Sequence, residues 1–382
     1  MNEWVYLNHA STSNQKPEAT QKAIMEYLCG DRQWSAGRNL AQMDQNHLIW
    51  DTRVTLADFF GAKNPKQVIF TSGVTLSLNM ILWGLLGQGD HVITTSLEHN
   101  AVARPLDRLK EERGIEVSYL ACGADGALDP EELRPLIRAN TKVLVMTHAS
   151  NVTGAILPYW ECFAIAKEYG IITVLDTAQT AGYCQVHLED SPIDVLAFTG
   201  HKGLWALAGV GGFVVRPEIA GQMKTLICGG TGSSSHSTRQ PERLPDKFES
   251  GTPNGIGILS LRESVKVIEQ LGLDNIRARE EILTQRFLHG LEELPVTHHG
   301  TKVLSKTVPT VSITCGDRDC ALLSQQLFER YGIVTRSGLH CAPLAHQSIG
   351  TYPQGTLRFS FGYHTTVDEI EYSLSALRSL LG

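Results

Sequence analysis

Ile171-Ile172-Thr173-Val174-Leu175-Asp176-Thr177-Ala178-Gln179 and, further along, Val195-Leu196-Ala197-Phe198-Thr199-Gly200-His201-Lys202 decide the fold. Each begins as an apolar, largely β-branched run, the first one after the turn residue Gly170, and each reads as a buried strand. Each ends in polar residues. An ionisable side chain at the carboxyl end of a buried strand sits where open α/β sheets bind ligands. Asp176, Gln179, Thr199, His201 and Lys202 therefore bring a carboxylate, an amide, a hydroxyl, an imidazole and an amine to one crevice. Taken singly, an Asp after a strand also serves as a helix N-cap and a Lys is also a solvated surface charge. Together, a lysine used as an amine and an aspartate kept ionised opposite it form the equipment of pyridoxal phosphate (PLP) chemistry. The amine forms the Schiff base and the carboxylate pairs with the pyridinium nitrogen.

Outward from this centre the pattern alternates strand and helix. Apolar runs at 68–70, 91–95, 116–120, 143–147 and 209–215 complete a set of seven strands with the two above. A short strand at Tyr6-Leu7 precedes them, and strands at 308–313 and 356–361 follow. Helical patterns cover 17–28, 48–60, 74–86, 256–294 with a break at Gly272, and 319–331. Asp129-Pro130-Glu131-Glu132 reads as a helix start, and Thr366-x-x-Glu369 as a capping box. Ser35-Ala36-Gly37-Arg38 reads as a loop, as does 335–346, and 229–237 is a Gly/Ser-rich segment. The fold class is α/β: a large unit over 15–255 with a mainly parallel seven-stranded sheet, and a smaller α+β unit from 1–14 and 256–382. The glycines at 209–212 precede a strand and open no helix, so they are not a dinucleotide fingerprint.

Bulk properties exclude several classes. The net charge of −7 and the lack of a Lys/Arg run argue against a nucleic-acid or anionic-membrane surface. No apolar run approaches a bilayer-spanning length, and Met1-Asn2-Glu3-Trp4 shows no signal-peptide pattern. The eight cysteines include no C-x-x-C pair and match neither a disulfide scaffold nor a zinc site. Reduced cysteines and a cytoplasmic location fit this usage. His298-His299 reads as surface, and no metal ligand set is expected.

Lys202 lies 26 residues after Asp176, and Asp176-Thr177-Ala178-Gln179 and Thr199-Gly200-His201-Lys202 resemble fold-type I PLP enzymes of the class V aminotransferase group. Among these the chain looks most like the NifS-like cysteine desulfurases. The match continues through Glu98-His99-Asn100-Ala101, Phe248-Glu249-Ser250-Gly251-Thr252-Pro253-Asn254 and Arg336-Ser337-Gly338-Leu339-His340-Cys341-Ala342. The last of these is the signature of the second group of desulfurases, with a short, rigid catalytic loop. Three places depart from the pattern. Asn8-His9 stand where the family carries Asp-Asn, Val74 lacks the usual hydroxyl, and Ala206-Leu207 replace Gly-Pro, for which a local loop change is expected.

The resemblance implies a site residue by residue. The turn Thr71-Ser72-Gly73-Val74-Thr75 opens a helix whose free N–H groups suit a phosphate; read alone, it is equally a Ser/Thr cap. Val74 offers its N–H and Thr75 its N–H and hydroxyl. His99, otherwise a helix cap, stacks on the PLP face and relays protons. Asn151, otherwise a turn residue, lies beside the ring oxygen and the substrate carboxylate. Thr252 reaches the phosphate of a neighbouring subunit, which implies a homodimer with shared active sites.

Cys341, in a polar loop beside Arg336 and His340, is placed as a reactive thiolate. A metal reading of His340, Cys341 and His346 lacks a further ligand. Arg358, with Arg336, suits the carboxylate of an amino acid. The expected reaction takes L-cysteine to L-alanine. Lys202 carries PLP and removes the Cα proton, Asp176 holds the ring nitrogen protonated, and Cys341 takes the sulfur as a persulfide for an acceptor protein. L-Selenocysteine is the alternative substrate. Other class V chemistry, such as an aminotransferase or epimerase, and a non-catalytic scaffold are the competing classes. Cys341 argues against the first, and the set Lys202, Asp176 and His99 against the second.

Overall fold

The apolar runs fold into the strands that their composition predicts. The computed structural model describes residues 4–30, 40–123, 125–234 and 236–382; the expected loop at 35–38 lies outside them. A two-residue strand β1 (Val5–Tyr6) is followed by β2 (Val68–Thr71), β3 (His91–Thr95), β4 (Glu116–Leu120), β5 (Thr141–Thr147), β6 (Ile172–Asp176), β7 (Val195–Thr199) and β8 (Gly211–Val215). β2 to β8 form one sheet in the order β2-β8-β7-β6-β5-β3-β4. β7, β6, β5, β3 and β4 run parallel. β8 runs antiparallel to both of its neighbours, β2 and β7. The expected α/β class and mainly parallel seven-stranded sheet are what the chain adopts.

Successive side chains of a strand point to opposite faces, and here they feed two cores. Leu144, Met146, Leu175, Leu196 and Phe198 face one side, with Phe60, Phe163 and Leu261 packed on them. Val143, Val145, Val174, Val195 and Ala197 face the other, under Leu78, Ile81, Val102 and Leu106. The covering helices are α1 (Glu18–Cys29), α2 (Leu40–Phe59), α3 (Val74–Leu85), α4 (Asn100–Arg113), α5 (Tyr159–Glu168), α6 (Pro217–Gln222) and α7 (Gly255–Leu271). The chain order reverses between β3 and β5. That reversal opens a crevice at the carboxyl ends of the parallel strands.

After a break at Gly272, α8 (Leu273–Leu291) leads into a second, antiparallel sheet. β9 (Thr297–His299), β10 (Thr310–Thr314), α9 (Cys320–Tyr331), β11 (Ile333–Val334), β12 (Arg336–Gly338), α10 (Pro343–Ser348), β13 (Thr356–Ser360) and α11 (Val367–Leu381) follow in that order. The sheet order is β12-β13-β10-β9. A third core joins Phe287, Val311, Ile313, Phe359, Leu374 and Leu377. β1 pairs in parallel with β11, which brings the N-terminal segment to this second sheet. The division read at 255/256 falls just ahead of α7. That helix packs on α1 and α2 and buries Ile258, Leu261, Val265 and Ile268 in the first core.

Local signals held at α9 and α11. Asp319 Oδ1 accepts the Ala321 N–H at 2.6 Å, and the Thr366/Glu369 capping box forms reciprocally. Three expectations need correction. Residues 130–136 form a 3-10 helix, not an α-helix, and Pro135 inside the segment lacks the N–H an α-helix would use there. Arg336 lies on an edge strand, not in a loop. His298 and His299 are half-buried on β9, where His299 Nε2 lies 2.9 Å from Thr314 Oγ1, so they are not a surface pair. Among the described residues no helix is long and apolar enough to cross a membrane.

Gly211 makes the turn ahead of α3 possible. A Cβ there would lie 2.7 Å from both Gly73 Cα and the Phe198 carbonyl oxygen, and neither backbone atom can retreat cheaply. Gly211→Ala is therefore expected to destabilise the chain by about 1–3 kcal/mol through overpacking. A lower urea midpoint with unchanged slope checks this, and a midpoint equal to that of the parent contradicts it.

Candidate active site

The crevice holds a cavity of about 320 Å³. Its floor is built by the ends of β5, β6 and β7 and its flank by the turn into α3. Its far wall is Arg336 and Arg358 from the second sheet, with Ser11 from the N-terminal segment. Val74, Thr75, His99, Asn151, Asp176, Gln179, Thr199, His201 and Lys202 all line it. Thr252 does not: it is exposed on the coil before α7. Cys341 is exposed and stands at the rim, its Sγ 3.5 Å from Arg336 Nη2.

At one end Gly73 caps α3 with φ +145°, a conformation L side chains rarely adopt. Thr71 Oγ1 accepts the Gly73 N–H at 3.1 Å and holds the turn. The first-turn amides of Val74 and Thr75 have no intrahelical partner, and the positive end of the helix dipole adds to them, which suits an anion.

At the centre, Asp176 is 2% exposed and its Oδ1 accepts the Ala178 N–H at 2.8 Å. Burial raises its pKa, while that hydrogen bond and the Lys202 charge oppose the rise. Lys202 is pushed down to about 8 by burial, with Asp176 opposing and Arg358 and Arg336 reinforcing. At that pKa about a tenth of the amine is unprotonated at pH 7, against well under a thousandth at the ordinary 10.5, and a nucleophile or proton acceptor requires that form.

His99 meets its reading as a helix cap. Its Nδ1 accepts the Ala101 N–H at 3.0 Å and caps α4, which leaves the proton on Nε2. It also lines the cavity. Burial, helped by Lys202 and Arg336, pushes its pKa down to about 4, so the ring is neutral. Asn151 Nδ2 donates to the His340 carbonyl at 2.8 Å, and its buried Oδ1 has no partner. Gln179 Nε2 donates to the Ala10 carbonyl at 3.1 Å and ties down the N-terminal segment.

The cysteine loop is pinned from below. His340 and Cys341 both have positive φ, +49° and +59°. The Asn100 N–H donates to the Cys341 carbonyl at 2.7 Å, so the first turn of α4 carries the loop. The expected role of His340 beside the thiol is overturned. Its ring is 2% exposed, with Nε2 3.0 Å from Thr356 Oγ1, and burial, then Arg358, push its pKa to about 2. It is neutral, and Arg336 is the cation in contact with Cys341.

Three participants escaped the sequence reading. Asn8 and Ser11 bond to Arg358 across about 350 residues of chain. Glu98 is fully buried behind β5. Its Oε1 accepts from Thr95 Oγ1 at 2.6 Å and from the Thr147 N–H at 2.9 Å. Burial raises its pKa to about 8, so it is largely neutral at pH 7. A carboxylate just after a buried strand was the available signal for Glu98, and Asn8 stood out only as a departure from the family pattern; nothing local marked Ser11.

Residues 5–372 match the family Aminotransferase class-V. A probable cysteine desulfurase of Pyrococcus abyssi is 30% identical over 99% of this chain and 94% of its own length. A cysteine desulfurase of Haloferax volcanii is 30% identical over 98% of this chain and 88% of its own. The apo structure of a cysteine desulfurase from Thermococcus onnurineus NA1 superposes with a TM-score of 0.92 at 31% identity, covering 100% of this chain and 95% of that one. With a strand order, crevice and sequence all in agreement, the chain belongs to the class V aminotransferase family.

Proposed function

We propose that this chain is a PLP-dependent cysteine desulfurase that converts L-cysteine to L-alanine and keeps the sulfur on Cys341 as a persulfide. One observation carries the reading: Cys341 sits against Arg336 at the rim of a cavity that also holds Lys202, Asp176 and Arg358. A nucleophilic sulfur beside an amino-acid site is what sulfur transfer requires and what transamination does without.

The residues present fit the cofactor. The α3 amides and Thr75 would hold its phosphate, Asp176 its ring nitrogen, and Lys202 its aldehyde carbon; Asn151, whose buried Oδ1 has no partner in the protein, would lie beside the ring. Bound there, PLP supplies an electron sink for bond breaking next to the amino-acid Cα. Arg358 and its neighbours orient the substrate carboxylate. The Lys202 amine, in the unprotonated form that burial makes more accessible, accepts the Cα proton. The Cys341 thiolate attacks the substrate sulfur, and the carbon–sulfur bond breaks with its electrons left on carbon. Cβ takes up a proton to become the methyl group of alanine, Cα regains a proton from Lys202, and the sulfur stays on Cys341. An acceptor then removes the sulfur and returns the thiolate. L-Selenocysteine is a second substrate under the same reading. A homodimer in which Thr252 reaches the neighbouring phosphate site, and a cytoplasmic location, belong to the same proposal.

Cys341→Ala tests the assignment. Alanine formation from L-cysteine is expected to fall by about three orders of magnitude or more, with the visible absorption of bound PLP intact. Selenocysteine cleavage survives, since its selenium leaves without thiol attack. Sulfide release from cysteine at the parent rate would contradict the reading. The lowered Lys202 pKa gives a second test. Capture of PLP by apo-protein needs the neutral amine, so its rate rises with pH and levels off above about 8 instead of near the ordinary 10.5. A profile still climbing steeply past pH 9 would contradict the burial argument.

A further inference from the structure

A second cavity, of about 50 Å³, adjoins the first at Lys202. Lys202, Gln179 and Ala10 line both, and the bond from Gln179 Nε2 to the Ala10 carbonyl at 3.1 Å is part of the wall between them. Glu280 of α8, with His9 and Ser13 of the N-terminal segment, lines only the second. Gly362 leaves room for the His9 ring, since a Cβ there would lie 2.6 Å from His9 Nδ1. The cavity is not sealed, because His9 and Gly203 on its wall keep partial exposure. Glu280 is 6% exposed, and among the described residues its carboxyl makes no ion pair. Its neighbour Arg279 donates instead to the Tyr363 carbonyl at 2.5 Å and the Thr365 carbonyl at 3.3 Å. Arg277 and Glu281, on the same helix, bond to each other at 2.8 Å. Tyr183 and Cys184 face Glu280 from the turn after β6, and burial raises the pKa of both, so they carry no charge near pH 7. His9 is pushed down to about 4 by burial, then by His364 and Lys16, and is neutral. Burial raises the Glu280 pKa to about 8 against the Tyr363 N–H and the Arg279 charge, so the carboxyl is largely protonated at pH 7. A buried polar group is costly unless a hydrogen-bond partner satisfies it. The space admits about two waters, and its polar walls supply the partners that buried waters require.

We propose that this second cavity is a buried water site through which the proton that Lys202 takes from Cα exchanges with solvent, and that Glu280 is the positioning residue that passes it across. The inference rests on the reading above in which Lys202 is the base. Once cofactor and amino acid fill the larger cavity, the second is the polar space left in contact with Lys202. The transfer balances within the chain. The Lys202 ammonium gives a proton to a cavity water, and that water gives one to the Glu280 carbonyl oxygen. The Glu280 O–H gives its own proton to the next water, so the carboxyl is neutral before and after. The reverse movement brings a solvent proton back to Lys202. A glutamine at 280 has the same shape but cannot accept at one atom and release from the other in this way.

Two measurements test the site and its use separately. In apo-protein at pH 7, a crystal structure is expected to show ordered water against Glu280, and the infrared band of neutral carboxylic acid is expected to lose a component in Glu280→Gln. A dry cavity or an ionised Glu280 overturns the proposal whatever the loaded enzyme does. The second measurement feeds PLP-loaded protein L-cysteine deuterated at Cα, in ordinary water, and reads deuterium at Cα of the alanine formed. An ammonium holds three hydrogens, so a Lys202 cut off from solvent returns the original deuterium about one time in three. The parent is expected to return almost none. Glu280→Gln is expected to move the return toward that third, with KM for L-cysteine changed by less than about twofold. Glu280→Asp, which keeps an acid in the cavity, is expected to restore the washout. High return in the parent, or equally low return in parent and Glu280→Gln, overturns the relay, and a Glu280→Asp that matches Glu280→Gln reduces the residue to a structural role. A parent that forms no alanine sinks the functional reading instead, and the apo-protein measurement then decides the water site by itself.

Discussion

Asp176 and Lys202 share one cavity, and burial works against the charge on each. Removed from water, the carboxyl is driven toward its protonated form and the ammonium toward its neutral form. Each also supplies the field that opposes this drift in the other. The strand ends set this balance. β6 and β7 are adjacent and parallel, so the carboxylate at the end of one and the amine just past the end of the other meet without any long-range device. The close contact of β8 with the turn into α3, which needs Gly211, brings an anion-binding helix end to the same place.

Around that pair the protein removes competing charge. His99, His201 and His340 are all held neutral by burial and nearby cations. Glu98 is largely neutral for the same reason of burial, and the same pull on Asp176 is opposed by the Ala178 N–H and the Lys202 charge. The positive side is left to two arginines on neighbouring strands, paired in register as Arg336 and Arg358. One faces the rim and the cysteine, and the other is buried at the wall. The site is thus polarised, with its carboxyl at the floor and its cations at the wall.

Most of the fold was legible because its physics is local. Buried parallel strands read as β-branched runs, the breaks at Gly272 and Gly332 end helices in the sequence as in the structure, and the Thr366/Glu369 box caps as written. What was illegible depended on distance or on context. The antiparallel direction of β8 is fixed by a connection, not by its glycines. His340 looks like a partner for Cys341 in sequence, but the left-handed backbone of the loop turns its ring inward to Thr356. Asn8 and Ser11 join Arg358 only because β1 pairs with β11 and the following bridge sets Asn8 against Ser360.

The central claim is that Lys202 is the amine of this site, and chemical trapping addresses it most directly. PLP-loaded protein is reduced with borohydride, digested, and the modified lysine located by peptide mass spectrometry. The account predicts loss of the visible absorption and a single cofactor adduct on the peptide containing Lys202. An adduct on another lysine, with Lys202 unmodified, would contradict it.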